Sequence, residues 1–184
     1  LINGLAKDGG LYVPNSIKSY SEEELDSLRE LDYSSLAFEL TKDFVVGEIS
    51  ASEYKKICIN SYKRSFGKEI ISFDKLDQHK FIANLFNGPT YAFKDFALQL
   101  LGNIYDYILR KRKINLTILG ATSGDTGSAA IHGCAKSNNV KIFILFPLNR
   151  VSEIQRKQMT TVKKKNVFNI AVKGNFDDCQ RMVK

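Results

Sequence analysis

The spacing of hydrophobic residues changes near residue 80, and this change separates two kinds of predicted structure. Before it, apolar residues recur at helical spacing in short segments that open on capping residues, at Ser21–Glu24 and Ser50–Glu53. After it, short apolar runs alternate with amphipathic segments, which favours strands followed by helices. We therefore predict a mostly helical domain, residues 1–78, and the first part of an α/β domain, residues 79–184.

The α/β region alternates predicted strands with predicted helices. Strands are expected at residues 81–86, 115–119, 140–146 and 167–172, and helices at 92–109, 128–137 and 152–161. In the N-terminal region, helices are expected after Ser21 and at residues 33–45 and 50–66. Alternation of this kind predicts a parallel sheet covered by helices. Parallel sheets of this type usually have more strands, so we expect further sequence beyond residue 184.

The composition is that of a globular protein, with 43% hydrophobic and 26% charged residues among 184. No apolar run reaches the roughly 18 residues of a membrane helix, and the first residues do not form a secretory signal. Cys58, Cys134 and Cys179 are too widely spaced for a disulfide framework or a zinc site. His79 and His132 have no partner at motif spacing, so we interpret both as structural. We expect a cytoplasmic protein with reduced thiols, no metal and no membrane partner.

The formal net charge of +7 raises the question of an anionic partner. Basic residues cluster at Arg110–Lys113 and Lys163–Lys165, where a helix is predicted to end and a strand to begin. Cations at helix C-termini interact favourably with the helix dipole, so we favour solvated caps and expect no nucleic-acid partner. An anion-binding patch remains the alternative.

The first segment whose residues could take part in catalysis or binding is residues 85–96, where a predicted strand leads through Gly88-Pro89 into a helix. Lys94 is predicted in the first turn of that helix, among aromatic residues. An apolar setting and a positive helix N-terminus both favour the neutral amine that a Schiff-base lysine needs. From the residues alone, a lysine that extends along the helix to water is the stronger interpretation.

The second segment is the Gly-rich stretch Gly120–Ser128, between a predicted strand and a helix. Its glycines allow close approach of a ligand, and a helix N-terminus offers free N–H groups to an anion. The spacing meets neither the dinucleotide-binding nor the P-loop pattern. The stretch therefore indicates a loop for a carboxylate or phosphate, or else a tight turn capped by Ser and Thr.

A third segment, residues 146–161, places Arg150 just before Ser152, a predicted N-cap, near the carboxyl end of a strand. From these residues alone, a surface helix with basic flanks is favoured.

Five segments, taken in order, resemble the threonine synthase family of bacteria and fungi. They are residues 4–14, 86–97, 121–127, 150–159 and 174–180. The resemblance covers nearly the whole chain, and five matches in register are far more specific than one. It implies a fold-type II pyridoxal-phosphate enzyme, related to the tryptophan synthase β chain, of which this chain is the N-terminal portion.

The resemblance implies that Lys94 is catalytic and holds pyridoxal 5'-phosphate as a Schiff base. It also implies cofactor contacts by Ser123, Gly124 and Asp125, and substrate contacts by Thr90, Thr122, Ser123, Thr126 and Arg150. The implied reaction is the last step of threonine biosynthesis. In it a carbon–oxygen lyase converts O-phospho-L-homoserine and water to L-threonine and phosphate. Lys94 would then act as general acid and base.

In the family the cofactor-phosphate loop and the residue at the pyridine nitrogen lie further along the chain, and Gly174–Phe176 is not that loop. We therefore expect this chain to be inactive alone and to need the remainder of its polypeptide. The alternatives are a threonine or serine dehydratase, a threonine-synthase-like phospho-lyase, or a non-catalytic binding fragment. The match at residues 8–14 argues against the dehydratases.

Overall fold

The computed structural model describes residues 2, 4, 6–45 and 47–184. Leu5, within the matching segment 4–14, lies outside the described residues, as do Leu1, Asn3 and Val46. The chain forms two compact units, Leu1–Cys58 and Ile59–Lys184. The domain boundary after residue 78 stays a prediction.

The helices are α1 (Glu22–Arg29), α2 (Tyr33–Thr41), α3 (Ala51–Tyr62), α4 (Asp95–Arg112), α5 (Asp125–Cys134), α6 (Glu153–Thr160) and α7 (Phe176–Val183), with a 3-10 helix at Lys42–Phe44. The strands are β1 (Ser72–Lys75), β2 (Phe81–Asn84), β3 (Leu116–Ala121), β4 (Val140–Pro147) and β5 (Val167–Val172). Of the helices formed by the described residues, none combines the length and apolarity needed to cross a bilayer.

Capping residues set the helix starts in the first unit. The Ser21 side chain accepts from the Glu24 backbone N–H while the Glu24 carboxylate accepts from the Ser21 N–H, so the capping box is confirmed. Asp32 caps α2 in the same way through the Ser35 N–H. The helix predicted at residues 33–45 is shorter than expected, because the chain tightens into the 3-10 turn after Thr41.

The second unit contains two sheets. Strands β3, β4 and β5 are parallel, in that order, and they confirm the predicted α/β class. The strand predicted at residues 81–86 was assigned to this sheet, and that assignment is wrong. It forms β2 and pairs antiparallel with β1. Five residues separate the two strands, and a connection that short joins antiparallel neighbours, whereas a parallel crossover needs a dozen or more residues.

The core of the second unit surrounds the central strand β4. Because β4 has a neighbour on each side and helices against it, all of its residues except Lys141 are apolar, and most of them are buried. The buried cluster consists of Leu109, Ile131, Cys134, Val140, Ile142, Ile144, Phe146 and Met159. Helices α4, α5 and α6 therefore share one buried core with the central strand β4.

Helices α4 and α5 pack closely through two glycines. A Cβ atom on Gly102 would lie 2.1 Å from the Gly133 carbonyl oxygen, and one on Gly133 would lie 2.3 Å from the Leu98 oxygen. Both obstacles are backbone atoms, so the two helix backbones approach each other only because these side chains are absent. The contact fixes the N-terminus of one helix relative to that of the other.

Two predicted helix starts are wrong by three residues. Helix α4 begins at Asp95 instead of residue 92, so Lys94 is the N-cap residue and does not lie in the first turn. Tyr91 has φ 60°, which breaks the helix, and the residues after it form i→i+3 turns first. Helix α5 begins at Asp125 instead of Ser128, directly after Gly124 with φ 154°.

Candidate active site at the carboxyl edge of the parallel sheet

The candidate site lies where strands β3 and β4 end. Strand β3 ends at Ala121 and is followed by the Gly-rich turn, whereas β4 ends at Pro147 and is followed by the segment that contains Arg150. Carboxyl ends of parallel strands share one edge of a sheet, and ligands of open α/β proteins bind at that edge.

Lys94 reaches this edge and contacts the start of α5. Its Nζ lies 2.8 Å from the Asp125 Oδ2, within hydrogen-bond distance, and 4.6 Å from the centroid of the Phe93 ring. The Lys94 side chain is 31% exposed and that of Asp125 is 36% exposed. The sequence predicted aromatic neighbours for this lysine but not the carboxylate, which stands 31 positions away along the chain.

The charge of Asp125 is stabilised by its surroundings. The hydrogen bond from Lys94 lowers the pKa of the Asp125 carboxyl below its ordinary value, and the Thr126 backbone N–H adds to this, while partial burial opposes it. Asp125 is also the first residue of α5, where the helix dipole favours a negative charge. It is therefore an anion at neutral pH and holds the Lys94 ammonium group in place.

A second carboxylate, Asp95, holds the turn that presents Lys94. Asp95 is fully buried and accepts hydrogen bonds of 2.8 Å from both the Thr90 backbone N–H and the Thr90 hydroxyl. Burial raises the pKa of the Asp95 carboxyl, while the two Thr90 bonds and the electrostatic influence of the nearby His132 oppose that rise. A Cβ on Gly88 would lie 2.5 Å from the Asp95 Oδ2, so the turn closes tightly on this side chain.

Two glutamines of α6 contact the same loops. Gln158 Nε2 donates to the Thr90 carbonyl oxygen at 2.9 Å, which ties α6 to the lysine turn. Gln155 lies against Gly124, where an added Cβ would stand 2.2 Å from its Oε1. Both residues belong to a segment that matched the family, but the sequence assigned no role to either.

Thr122 shapes the Gly-rich turn from inside. It is buried, and its Oγ1 accepts from the Gly124 N–H at 3.0 Å and from the Gly127 N–H at 2.8 Å. Ser123 and Thr126, by contrast, are exposed beside the N-terminus of α5. The turn therefore presents two hydroxyls to solvent. The predicted substrate contacts of these three residues stay predictions.

Arg150 is exposed in the turn after β4. Its backbone N–H donates to the Pro147 carbonyl oxygen at 3.2 Å, and the preceding Asn149 has φ 60°. Within the described part of the chain, its guanidinium forms no ion pair of 4.0 Å or less. The structure therefore brings Lys94 and Asp125 together, whereas Arg150 is exposed in the turn after β4.

Sequence reasoning missed Asp95 and the environment of His132. An acidic residue in the first turn of a predicted helix was a usable signal, because the helix N-terminus favours it. The buried Thr90 partner had no signal of its own, since Thr and Asp at this spacing also occur in exposed turns. His132 was interpreted as isolated, and its effect on Asp95 arises from the packing of α5 on α4.

This arrangement of sheet, helices and lysine-bearing edge has the α/β fold of the fold-type II pyridoxal-phosphate enzymes. The family model described as threonine synthase N terminus matches residues 1–62. A threonine synthase of Pseudomonas aeruginosa is 51% identical over 184 residues, which is 100% of this chain and 39% of that protein. Over its whole length, the chain is therefore similar to part of a threonine synthase.

Solved structures agree with this assignment. The structure of pyridoxal-phosphate-bound threonine synthase from Brucella melitensis matches with a TM-score of 0.91 and 42% identity, covering 99% of this chain and 39% of that chain. Threonine synthase from yeast matches with a TM-score of 0.91 and 39% identity, covering 99% and 38%. The chain thus spans about two fifths of the length of the relatives it matches.

Proposed function

We propose that the full-length protein containing this chain is a threonine synthase. It would convert O-phospho-L-homoserine and water to L-threonine and phosphate as a carbon–oxygen lyase dependent on pyridoxal phosphate. The observation that carries the proposal is the position of the Lys94 amine. It stands at the carboxyl edge of the parallel sheet, 2.8 Å from the first residue of α5 and beside the Gly-rich turn.

The residues present fit the cofactor on this chain's side of the site. The Lys94 amine is partly exposed, Gly124 leaves the turn without a side chain, and Ser123 is open to solvent. Lys94 would carry the cofactor, with Ser123, Gly124 and Asp125 beside it. Bound pyridoxal phosphate supplies an electron sink for the substrate carbons.

Lys94 has to change partners before it reacts. An amine forms a bond to carbon only through a free lone pair, so its ammonium must release a proton and leave Asp125. Asp125 is a weak base because its pKa is lowered, so we assign the proton to solvent and not to Asp125. Once the substrate amine frees it, Lys94 can move protons at Cα, Cβ and Cγ.

The substrate would be held by groups on either side of the lysine. The exposed Ser123 and Thr126 hydroxyls can donate hydrogen bonds and therefore suit its carboxylate. Arg150, exposed in the turn after β4, suits its phosphate. The Thr90 and Thr122 oxygens already make internal hydrogen bonds, so we assign both residues to positioning the loops that meet the substrate.

Covalent trapping of the cofactor tests the lysine assignment. Borohydride reduction of the full-length protein with pyridoxal phosphate, followed by peptide mass spectrometry, should locate the pyridoxyl group on Lys94. Lys94→Ala should lose both the adduct and the visible absorption band of the lysine-bound cofactor, whereas Lys157→Ala, on an exposed face of α6, should keep both. An adduct on another lysine would refute the assignment.

The product separates threonine synthase from the other lyases of this fold. Threonine and phosphate should appear in equal amounts from O-phospho-L-homoserine. An oxoacid formed from threonine or serine, with no threonine made, would instead indicate a dehydratase. The buried free thiols of Cys58, Cys134 and Cys179 support our proposal of a cytoplasmic location, which imaging of the tagged protein would test.

We also propose that residues 1–184 alone bind the cofactor weakly, because groups contributed by the rest of the polypeptide complete the site. A spectral titration with pyridoxal phosphate should require much more cofactor for the isolated segment than for the full-length protein. Circular dichroism of the segment would verify that it is folded. Equal affinities would contradict the proposal.

A further inference from the structure

A cavity of about 410 Å³ lies at the opposite edge of the parallel sheet, where β4 and β5 begin. We call it the lysine pocket, because four lysines line it; the lining residues are Ala135, Lys136, Asn138, Lys141, Lys164, Lys165 and Asn166. Strand β4 has eight residues, so at about 3.3 Å per residue the two edges of the sheet are roughly 25 Å apart. The lysine pocket is therefore separate from the candidate active site.

Four ammonium groups surround this cavity without a compensating carboxylate. None of the described residues that line it is an Asp or a Glu. Among the residues that the structure describes, none of the four lysines has a carboxylate oxygen within 4.0 Å, although other exposed lysines such as Lys80 and Lys157 do. Like charges held together repel each other, and an anion between them relieves that repulsion.

The walls of the lysine pocket are joined by hydrogen bonds. Asn166 Nδ2 donates to the Ser137 carbonyl oxygen at 2.9 Å and to the Val140 oxygen at 3.0 Å. The turn before β5 is closed by the Val167 N–H, which donates to the Lys164 oxygen at 3.2 Å. The turn carrying Lys164 and Lys165 is thus fixed to the segment carrying Lys136 and Lys141, so the concavity is present before a ligand arrives.

The dimensions and the lining favour a small ligand over a nucleic acid. A volume of about 410 Å³ is within the range of small-molecule sites. The described residues that line the lysine pocket include no aromatic side chain, so they offer no stacking surface of the kind on which single-stranded nucleic acids rely. Lysine ammonium groups bind phosphate as point charges, and several of them match an anion with several charges. We propose that the lysine pocket binds a small anion carrying two or more phosphate groups.

Calorimetric titration of the full-length protein with inorganic triphosphate tests this proposal. Replacing Lys164 and Lys165 by Glu should weaken binding at least tenfold, and Lys141→Glu should weaken it as well. Lys173→Glu makes the same type of charge change beyond the far end of β5 and should alter the affinity less than twofold. Because the replaced lysines are exposed, we expect each variant to keep its fold, and thermal unfolding would verify this. The double variant Lys164→Ala, Lys165→Ala removes the charges without reversing them and serves the same comparison.

Comparing the affinity for a nucleoside triphosphate with that for inorganic triphosphate shows whether the lysine pocket recognises the phosphate chain alone or also a nucleoside. Affinity equal to that of inorganic triphosphate assigns recognition to the phosphate chain, and tighter binding adds a contribution from the nucleoside. Four results would overturn the proposal. These are no binding by the unmodified protein, equal losses in the pocket and control variants, a loss confined to Arg150→Ala, and tighter binding of single-stranded DNA than of triphosphate.

Discussion

The Lys94 amine lies 2.8 Å from the Asp125 carboxylate although neither residue belongs to the sheet that organises the site. Lys94 precedes the first residue of α4, and Asp125 is the first residue of α5. These helices meet at Gly102 and Gly133, where side chains would collide with backbone atoms. The ion pair at the candidate site is therefore a consequence of close helix packing about two turns away.

Gly133→Ala should disturb both stability and the lysine. Its Cβ would lie 2.3 Å from the Leu98 carbonyl oxygen, which the backbone cannot easily move, so we expect a loss of about 2–3 kcal/mol in the free energy of unfolding. Borohydride trapping of the cofactor should also become slower. Gly67→Ala is the matched control, because an added Cβ there meets nothing within 4 Å. Equal urea unfolding curves for the two variants would contradict this account.

Asp125→Asn should reveal the ion pair through the pH dependence of stability. The folded-state pKa of Asp125 lies below its ordinary 3.8, mainly because of the Lys94 hydrogen bond. The stabilisation is therefore fully present above 3.8 and is lost as the pH falls through the lowered folded-state pKa. Since both side chains are about one third exposed, it should be at most about 1 kcal/mol.

Urea unfolding of the unmodified protein and of Asp125→Asn, at several pH values between about 7 and 3, gives this difference directly. It should shrink on acidification, and it should be nearly absent when Lys94 is replaced by Met in both proteins. A difference that grows towards low pH would argue against the pairing.

Thr90→Val should have a related pH dependence for a different reason. The variant removes the hydroxyl that donates to the buried Asp95, so a carboxylate stays buried with one partner fewer, at a cost of about 1–3 kcal/mol at neutral pH. Burial already raises the pKa of Asp95, and loss of this bond should raise it further. The destabilisation by Thr90→Val should therefore diminish as the pH falls through the raised folded-state pKa values of Asp95. A protonated, neutral Asp95 is destabilised less than a carboxylate by the loss of a hydrogen-bond donor.

Thr126→Val changes an exposed threonine in the same way and provides the comparison. Its free energy of unfolding should stay within about 0.5 kcal/mol of the unmodified protein at each pH. If both threonine variants behaved alike, the Thr90–Asp95 contact would have no particular importance.

The sequence predicted the parts of the fold that depend on local pattern. Strand β5 has the predicted bounds 167–172, and Ser152 caps α6 through the Gln155 N–H as expected. Buried strands and side-chain caps are recognisable in the sequence because each depends on residues that are close together along the chain. The short strand β1 leaves little trace, since only one of its four residues is apolar and three are exposed.

The candidate site was predictable only as separate segments. Lys94 and the Gly-rich turn each stood out, and family resemblance joined them, but their contact depends on helix packing that periodicity does not encode. The hydrogen bond of Gln158 with the Thr90 carbonyl could not be predicted for the same reason. Residues 68 positions apart become neighbours only through the tertiary fold.

Gly124 is constrained both by its backbone conformation and by the neighbouring Gln155 side chain. Substitutions at these two positions can separate backbone strain from steric overlap. With φ 154° and ψ −83°, Gly124 has a conformation that other residues rarely adopt, and a Cβ would stand 2.2 Å from the Gln155 Oε1. Gly124→Ala should therefore lower the free energy of unfolding by about 2–4 kcal/mol, of which roughly 1–3 kcal/mol is backbone strain.

Combining Gly124→Ala with Gln155→Ala should restore only the stability that is lost through steric overlap. The Gln155 side chain is removed in the double variant, whereas the strained backbone conformation at residue 124 persists. Gln155→Ala by itself should cost less than about 1 kcal/mol. The double variant should then be more stable than the sum of the two single losses predicts, by about 0.5–2 kcal/mol in a urea-unfolding cycle. Strict additivity would mean that Gly124 and Gln155 do not touch, and the turn would then owe its shape to backbone conformation alone.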